Sequence, residues 1–166
     1  MSRLAHNRND VTAKFSLRDV DLNDMDDLFA WRNHPAIRVN SFNQIPIAFS
    51  EHKKWFSAKL KDKDTAMYIA HLGAKKIGAI RFDSMNGVVK VNVMLNPDYM
   101  NRGFGSKIIK MGTERFMKEK RNVSRIIAEI KKENAASIKS FRKAGFKESH
   151  VSYVFEAGAG YERKKR

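Results

Sequence analysis

Between residues 88 and 120 the hydrophobic period changes from two to about 3.6, and few folds place that change across a glycine-containing turn. Val89, Val91, Val93 and Leu95 alternate with Lys90, Asn92 and Met94, the pattern of a half-buried strand over Val88 to Leu95. Phe104, Ile108, Met111, Gly112 and Phe116 then recur at helical spacing to about Lys120. Between them lies Asn96-Pro97-Asp98-Tyr99-Met100-Asn101-Arg102-Gly103-Phe104-Gly105-Ser106. A strand, a turn and the free amides of a helix N-terminus together make an anion site.

The neighbouring chain supports a sheet on one side of this turn and helices on the other. Phe15 and Leu17 alternate with Lys14, Ser16 and Arg18, so a first strand is expected over Lys14 to Val20. Asp21, Asn23 or Asp24 can cap a helix whose Met25, Leu28, Phe29 and Arg32 share a face up to His34-Pro35. Ile37 to Ile47 reads as irregular chain beside that helix end, a common place to hold substrate. Ser50 is expected to cap a second helix bearing Trp55, Phe56 and Leu60. Strands follow over Ala66 to Leu72, Lys76 to Phe82 and Val88 to Leu95, with turns near Gly73-Ala74 and at Asn86-Gly87, the latter a strong hairpin signal. A short strand at Arg125 to Ile130, an Asn134-capped helix ending at Gly145, and a last strand at Val151 to Ala157 complete the order β-α-α-β-β-β-α-β-α-β.

Charge and composition narrow the partners more than the fold. With 166 residues, 42% of them hydrophobic, the chain can fill one ordinary core. The expected organisation is a polar arm over residues 1–12, one domain over 13–157 and a basic tail over 158–166. Cys is absent, which excludes disulfides, thiolate zinc sites and a Cys nucleophile, and no metal-ligand set is read from the sequence. The first residues lack the apolar core of a signal peptide and no run is long enough to span a membrane, so a cytoplasmic protein is expected. The net charge of +15 favours anionic partners, whether nucleic acid, membrane or polyphosphate ligands.

Arg102-Gly103-Phe104-Gly105-Ser106 after a valine strand, followed by Asn134-Ala135-Ala136-Ser137 leading to Ala144-Gly145-Phe146, resembles the acetyl-CoA site of the GCN5-related N-acetyltransferase (GNAT) family. That family's turn pattern is Gln or Arg, two residues, Gly, any residue, then Gly or Ala. It falls on Met100 to Gly105, with Met100 departing at the first position. The resemblance implies an α/β (α+β) fold with a mixed, mostly antiparallel sheet of about six or seven strands, splayed at the cofactor site and flanked by about four helices. It implies acetyl-CoA as co-substrate. The backbone of Arg102, Gly103, Phe104, Gly105 and Ser106 would cradle the pyrophosphate, with Val93, Met94 and Leu95 beside the thioester and Asn134 and Phe141 along the pantetheine.

Trp31-Arg32-Asn33-His34-Pro35, Ile37 and Glu51-His52 followed by Trp55-Phe56 look most like the amino-sugar-nucleotide acetyltransferases, such as that of pseudaminic acid biosynthesis. On that likeness the acceptor is an amine-bearing sugar nucleotide, met by Trp31, Arg32, Asn33, Arg38 and Arg81, whose guanidiniums suit phosphate. Many relatives carry a Glu on the strand before the turn and a Tyr on the last helix; the matching positions here are Lys90 and Phe141. Replacement proton handlers ranked by chemistry are His34 and His52, then Glu129 and Ser137. Two other functions stay open: a protein N-terminal or lysine acetyltransferase, and a non-enzymatic nucleic-acid-binding module supported by charge alone. A homodimer through sheet edges is a further expectation.

Overall fold

The computed structural model describes residues 13–120 and 123–149. The last expected strand, the N-terminal arm and the basic tail lie outside the described residues. Five strands form one sheet in the order β1-β2-β3-β4-β5. They are β1 (Phe15–Asp19), β2 (Thr65–Leu72), β3 (Lys75–Met85), β4 (Val88–Leu95) and β5 (Arg125–Ile127). The first four pair antiparallel and β5 joins β4 in parallel. Five helices accompany them: α1 (Met25–Asn33), α2 (Pro35–Arg38), α3 (Phe49–Lys61), α4 (Phe104–Glu119) and α5 (Ala135–Lys143). The described sheet therefore has fewer strands than the six or seven expected, and the described residues hold five helices where about four were expected.

Two apolar layers hold the sheet. On one face Tyr68, Ile80, Phe82, Val89 and Val91 pack against Ile108, Ile109 and Phe116 of α4 and Phe141 of α5, with Phe82 stacked on Phe116 at 4.4 Å. On the other, Val20 and Ile69 meet Leu28 and Trp31 of α1 and Phe56 of α3. Alternation along each strand sorts its side chains between these layers. Gly112 brings α4 down onto the sheet, because a Cβ there would lie 2.8 Å from Cγ2 of Ile80.

The Asn86-Gly87 turn takes φ of 52° and 79°, the left-handed pair that a tight hairpin requires. Three local expectations change. The first cap of α3 is Ala48, without a side-chain hydrogen bond, rather than Ser50, which lies inside the helix. Pro35 starts the short helix α2, whose Ile37 and Arg38 fall where irregular chain was expected, since its fixed φ suits a first helical position. Strand β5 stops at Ile127, three residues before the expected Ile130.

Asp24 locks the entry to α1. It is fully buried, accepts from both Nη1 and Nη2 of Arg18 at 2.7 Å, and pairs with Nζ of Lys76 at 2.8 Å. The Asp21 N–H also donates to it at 2.9 Å, completing a reciprocal cap with the Asp21 side chain. Burial alone would raise this carboxyl's pKa, but the Arg18 and Lys76 bonds outweigh that and hold it well below the usual range.

Candidate active site

Among the described residues, strand β4 loses a neighbour partway along. Its pairing with β5 runs from Val88↔Arg125 to Lys90↔Ile127 and ends there, while pairing with β3 continues to Leu95↔Gly78. The Asn96 N–H donates to the Ile77 carbonyl at 2.9 Å, toward β3. Amides alternate in direction along a strand, so Met94 also faces β3 and Val93 and Leu95 face the opening. Of the three residues expected beside the thioester, Val93 and Leu95 thus direct their amides into the opening and the Met94 amide is committed to the sheet. Gly78 permits this tight pairing: a Cβ there would lie 2.7 Å from the Met94 carbonyl oxygen.

Two cavities meet at this open edge. A smaller one of about 420 Å³ runs between the turn and α5, lined by Leu95, Met100, Asn101, Gly103, Gly105, Ser106, Ile109 and the α5 residues Ala136, Lys139, Ser140 and Lys143. A larger one of about 610 Å³ lies against α1 and α3, with Arg32, Glu51, His52, Trp55, Arg81, Asn92, Glu129 and Phe141 in its wall. Ile37, Asn40, Ser41, Val93, Met94, Asn134 and Ser137 line both, so the two spaces share a boundary.

The turn that borders the smaller cavity opens α4 without a side-chain cap. Gly103 takes φ of 82° at the first cap of α4, a conformation costly for any residue with a Cβ, and no side chain caps the helix. The first-turn amides of α4 are consequently left for a ligand. Gly105 lets α5 approach, its hypothetical Cβ being 3.1 Å from Oγ of Ser140. Arg102 and Phe104 stand outside both cavities: Arg102 lies over the Tyr99 ring at 5.3 Å, and Phe104 packs against the same ring. Basic charge comes instead from Lys139 and Lys143, which sequence reading missed although Ala136, Lys139, Ser140 and Lys143 follow helical spacing. Oδ1 of Asn134 accepts from the Ser137 N–H at 3.1 Å, so its cap role is filled.

The expected acceptor and proton residues separate into two groups. Arg32, Arg81, His52, Glu129 and Ser137 line the larger cavity, whereas Trp31, Asn33, His34 and Arg38 do not. Trp31 is buried in the α1 core. Asn33 holds the following chain, donating to the Ile47 carbonyl and accepting from its N–H, both at 2.9 Å. His34 is exposed and Nδ1 accepts from the Ala36 N–H at 3.3 Å, capping α2. Nη1 of Arg38 donates to the Gln44 carbonyl at 3.1 Å. Glu129 is exposed and paired with Lys90 at 2.9 Å. Glu51, absent from the expected set, adds a carboxylate one residue before His52.

His52 is 2% exposed, stacked on Phe56 at 5.8 Å, and Nε2 donates to the Met25 carbonyl at 3.1 Å. That donation assigns the neutral tautomer with its proton on Nε2. Desolvation lowers its pKa, despite the Met25 bond and Asp26 acting the other way, and His71 shifts in the same direction by burial. The unfolded chain therefore binds more protons near pH 6, so these histidines leave stability intact above about pH 6.5 and erode it as pH falls further. The melting temperature is expected to drop between pH 7.5 and 5, and to drop less in His52→Phe. An equal drop in both would assign the loss to other groups.

A protein-family model described as an acetyltransferase (GNAT) domain matches residues 14–147, and the chain belongs to that family. It is an acetyl-CoA-dependent N-acetyltransferase. Among named relatives, an L-methionine sulfoximine/L-methionine sulfone acetyltransferase of Pseudomonas paraeruginosa is 23% identical over 138 residues, covering 79% of each chain. A spermidine N-acetyltransferase from Vibrio cholerae, solved with CoA and spermine, superposes with a TM-score of 0.73 at 16% identity, over 86% of each chain. The aminoglycoside acetyltransferase AAC(6')-Ib with coenzyme A gives 0.70 at 20% identity, over 82% of this chain and 86% of that one. At such identities the two structures speak for the fold alone. None of the three is named for a sugar nucleotide. Among the described residues no helix is long and apolar enough to cross a membrane.

Proposed function

We propose that the smaller cavity takes the cofactor and the larger one a small molecule bearing a primary amine, with acetyl transfer at their common boundary. The observation that carries this reading is the open edge of β4 where both spaces meet, with the Val93 and Leu95 amides directed into the gap. Pyrophosphate would rest on the amides of Gly103, Gly105 and Ser106, with Lys139 and Lys143 adding charge. Pantetheine would then extend along the strand edge past Asn134 and Ser137. The oxygen of the tetrahedral intermediate would be stabilised by the edge amides.

Nucleophilic attack needs a neutral amine, and the departing thiolate needs a proton. Glu51, His52 through Nδ1, and Glu129 are the wall groups able to accept a proton; Ser137 is the hydroxyl at the boundary. Proximity of two bound reactants supplies much of the rate, so a site whose Phe141 replaces a dedicated acid still turns over. An amino-sugar nucleotide is the acceptor chemistry we favour, on Arg32, Ile37, Glu51, His52, Trp55 and Arg81, the residues quoted for it that line the larger cavity.

The test is thiol release from acetyl-CoA against amino-sugar nucleotides, aminoglycosides, polyamines, methionine sulfoximine and basic peptides. We expect turnover with the first group, and acetyl-CoA alone should stabilise the protein by about 2.7 kcal/mol at one hundred times its dissociation constant. Stabilisation with turnover only on peptides would transfer the reading to protein acetylation. Failure of acetyl-CoA to stabilise would overturn the cofactor assignment.

A further inference from the structure

The wall of the larger cavity carries two guanidiniums, each fixed through one nitrogen and each with nitrogens left over. Nη2 of Arg32 donates to the Asn43 carbonyl at 2.8 Å, while its Nη1 is buried without a hydrogen-bond partner among the described residues. A buried donor on a charged group left unpaired is costly, so its retention beside a cavity points to an acceptor supplied by a ligand. Nε of Arg81 donates to Oδ2 of Asp83 at 2.7 Å, and its guanidinium lies 5.1 Å over the Trp55 ring. Asp83 is itself held by Nζ of Lys59 at 2.9 Å and Oγ1 of Thr65 at 3.1 Å. Arg81 is therefore oriented from two sides, and its two terminal nitrogens have no hydrogen-bond partner among the described residues.

The same wall has carboxylates, and their condition differs. Glu129 is neutralised by Lys90, whereas Glu51 has no hydrogen-bond or ion-pair partner among the described residues. A polycation would meet two fixed guanidiniums here; a neutral amine would leave both unanswered. A ligand with an ammonium and an anionic group answers both signs of charge in this wall.

Resting on the acceptor cavity proposed above, we infer that Arg32 and Arg81 form an anion subsite, so that the acceptor carries a carboxylate or phosphate group in addition to its amine. Asp83 and Trp55 act as positioning residues for Arg81, and the Asn43 carbonyl does the same for Arg32. Guanidinium suits both anions because its planar fork matches their paired oxygens. No bond is made or broken at this subsite.

Matched acceptors test it. Amino-sugar phosphates and nucleoside diphosphate amino sugars are compared with the neutral amino sugar, and methionine sulfoximine with its carboxamide, so the two sets separate phosphate from carboxylate. Wild type is expected to favour the anionic member of at least one set by about 10- to 100-fold in kcat/KM, expressed in KM. Arg32→Gln and Arg81→Gln should each remove most of that preference, Arg32→Lys part of it, and Lys75→Gln, an exposed charge at the β2–β3 hairpin that lines neither cavity, none of it. Asp83→Asn should weaken the preference without abolishing it.

A second readout does not depend on turnover. With coenzyme A saturating, uridine diphosphate or succinate should raise the melting temperature of wild type and not of the Arg32→Gln/Arg81→Gln double variant. Equal use of neutral and anionic amines, or equal stabilisation of wild type and double variant, overturns the subsite. If no amine in the panel is acetylated but the anion-dependent stabilisation is present and lost in the double variant, the subsite stands and the acceptor assignment fails instead.

Discussion

Asp24→Ala is expected to lower the unfolding free energy by about 3 kcal/mol, which for a chain of this size moves the melting temperature down by roughly 6 to 12 °C. The carboxylate is fully buried and receives Arg18, Lys76 and the Asp21 N–H. Removing it takes from the half-buried Arg18 and Lys76 the buried anion they share among the described residues, and opens the reciprocal cap at the same time. Lys76 retains Asp27 at 2.7 Å and Arg18 retains Asp21 at 3.5 Å, so the loss falls at the low end for a broken buried pair. Chemical denaturation of both proteins reads the difference. A change below about 1 kcal/mol would show that Arg18 and Lys76 recover their hydration on losing Asp24.

The same group gives a pH signature. Its folded pKa is depressed, so its contribution is present above the unfolded value near 3.9 and is lost as pH falls through the folded one. Acid titration should therefore narrow the gap between wild type and Asp24→Ala below about pH 4. The consequence reaches the site, because Asp24 ties β1 and β3 to the start of α1, and α1 carries Leu28 and Arg32 into the cavity wall.

How far such features can be read in a sequence depends on whether they are local. The alternation of β4, the Asn86-Gly87 turn, the glycine turn and the Asn134 cap are each specified within a few residues, and each was legible. Asp24 was legible only as a possible cap, since its partners Arg18 and Lys76 are brought to it by the antiparallel register of three strands. His52 was ranked as a proton acceptor because imidazole titrates near neutrality; that it lies among Phe29, Trp55 and Phe56 with Nε2 bound to Met25 is a consequence of packing.

His34 and Arg38 show the converse. Both are chemically suited to a site, yet a proline at position 35 starts a helix that uses His34 as its cap and turns Arg38 toward Gln44. Lys139 and Lys143 were passed over, and Glu51 was quoted for a likeness without a role, because an isolated charge on a helix gives no sign of which space it borders. Which amides of β4 face the gap follows from a single hydrogen bond, that of Asn96 to Ile77, and no residue identity in Val93-Met94-Leu95 encodes it.

Ser137→Phe is expected to reduce kcat/KM by at least about 100-fold, whatever the acceptor proves to be. Ser137 borders both cavities at their common boundary, on the face of α5 opposite the open edge of β4. A ring in that place separates the reacting groups, and displacement of about an ångström already costs two orders of magnitude in reactions that depend on proximity. Cofactor binding through the turn at Gly103 to Ser106 should persist, so acetyl-CoA must still stabilise the variant; absence of that stabilisation would mean the substitution disturbed the cofactor groove rather than the junction. Ser137→Ala completes the comparison. If the hydroxyl only lines the passage, turnover stays within about threefold of wild type, the outcome we expect from its ordinary position one turn before Phe141. A fall of 30-fold or more, recovered in Ser137→Thr, would instead make the hydroxyl the proton source for the departing thiolate.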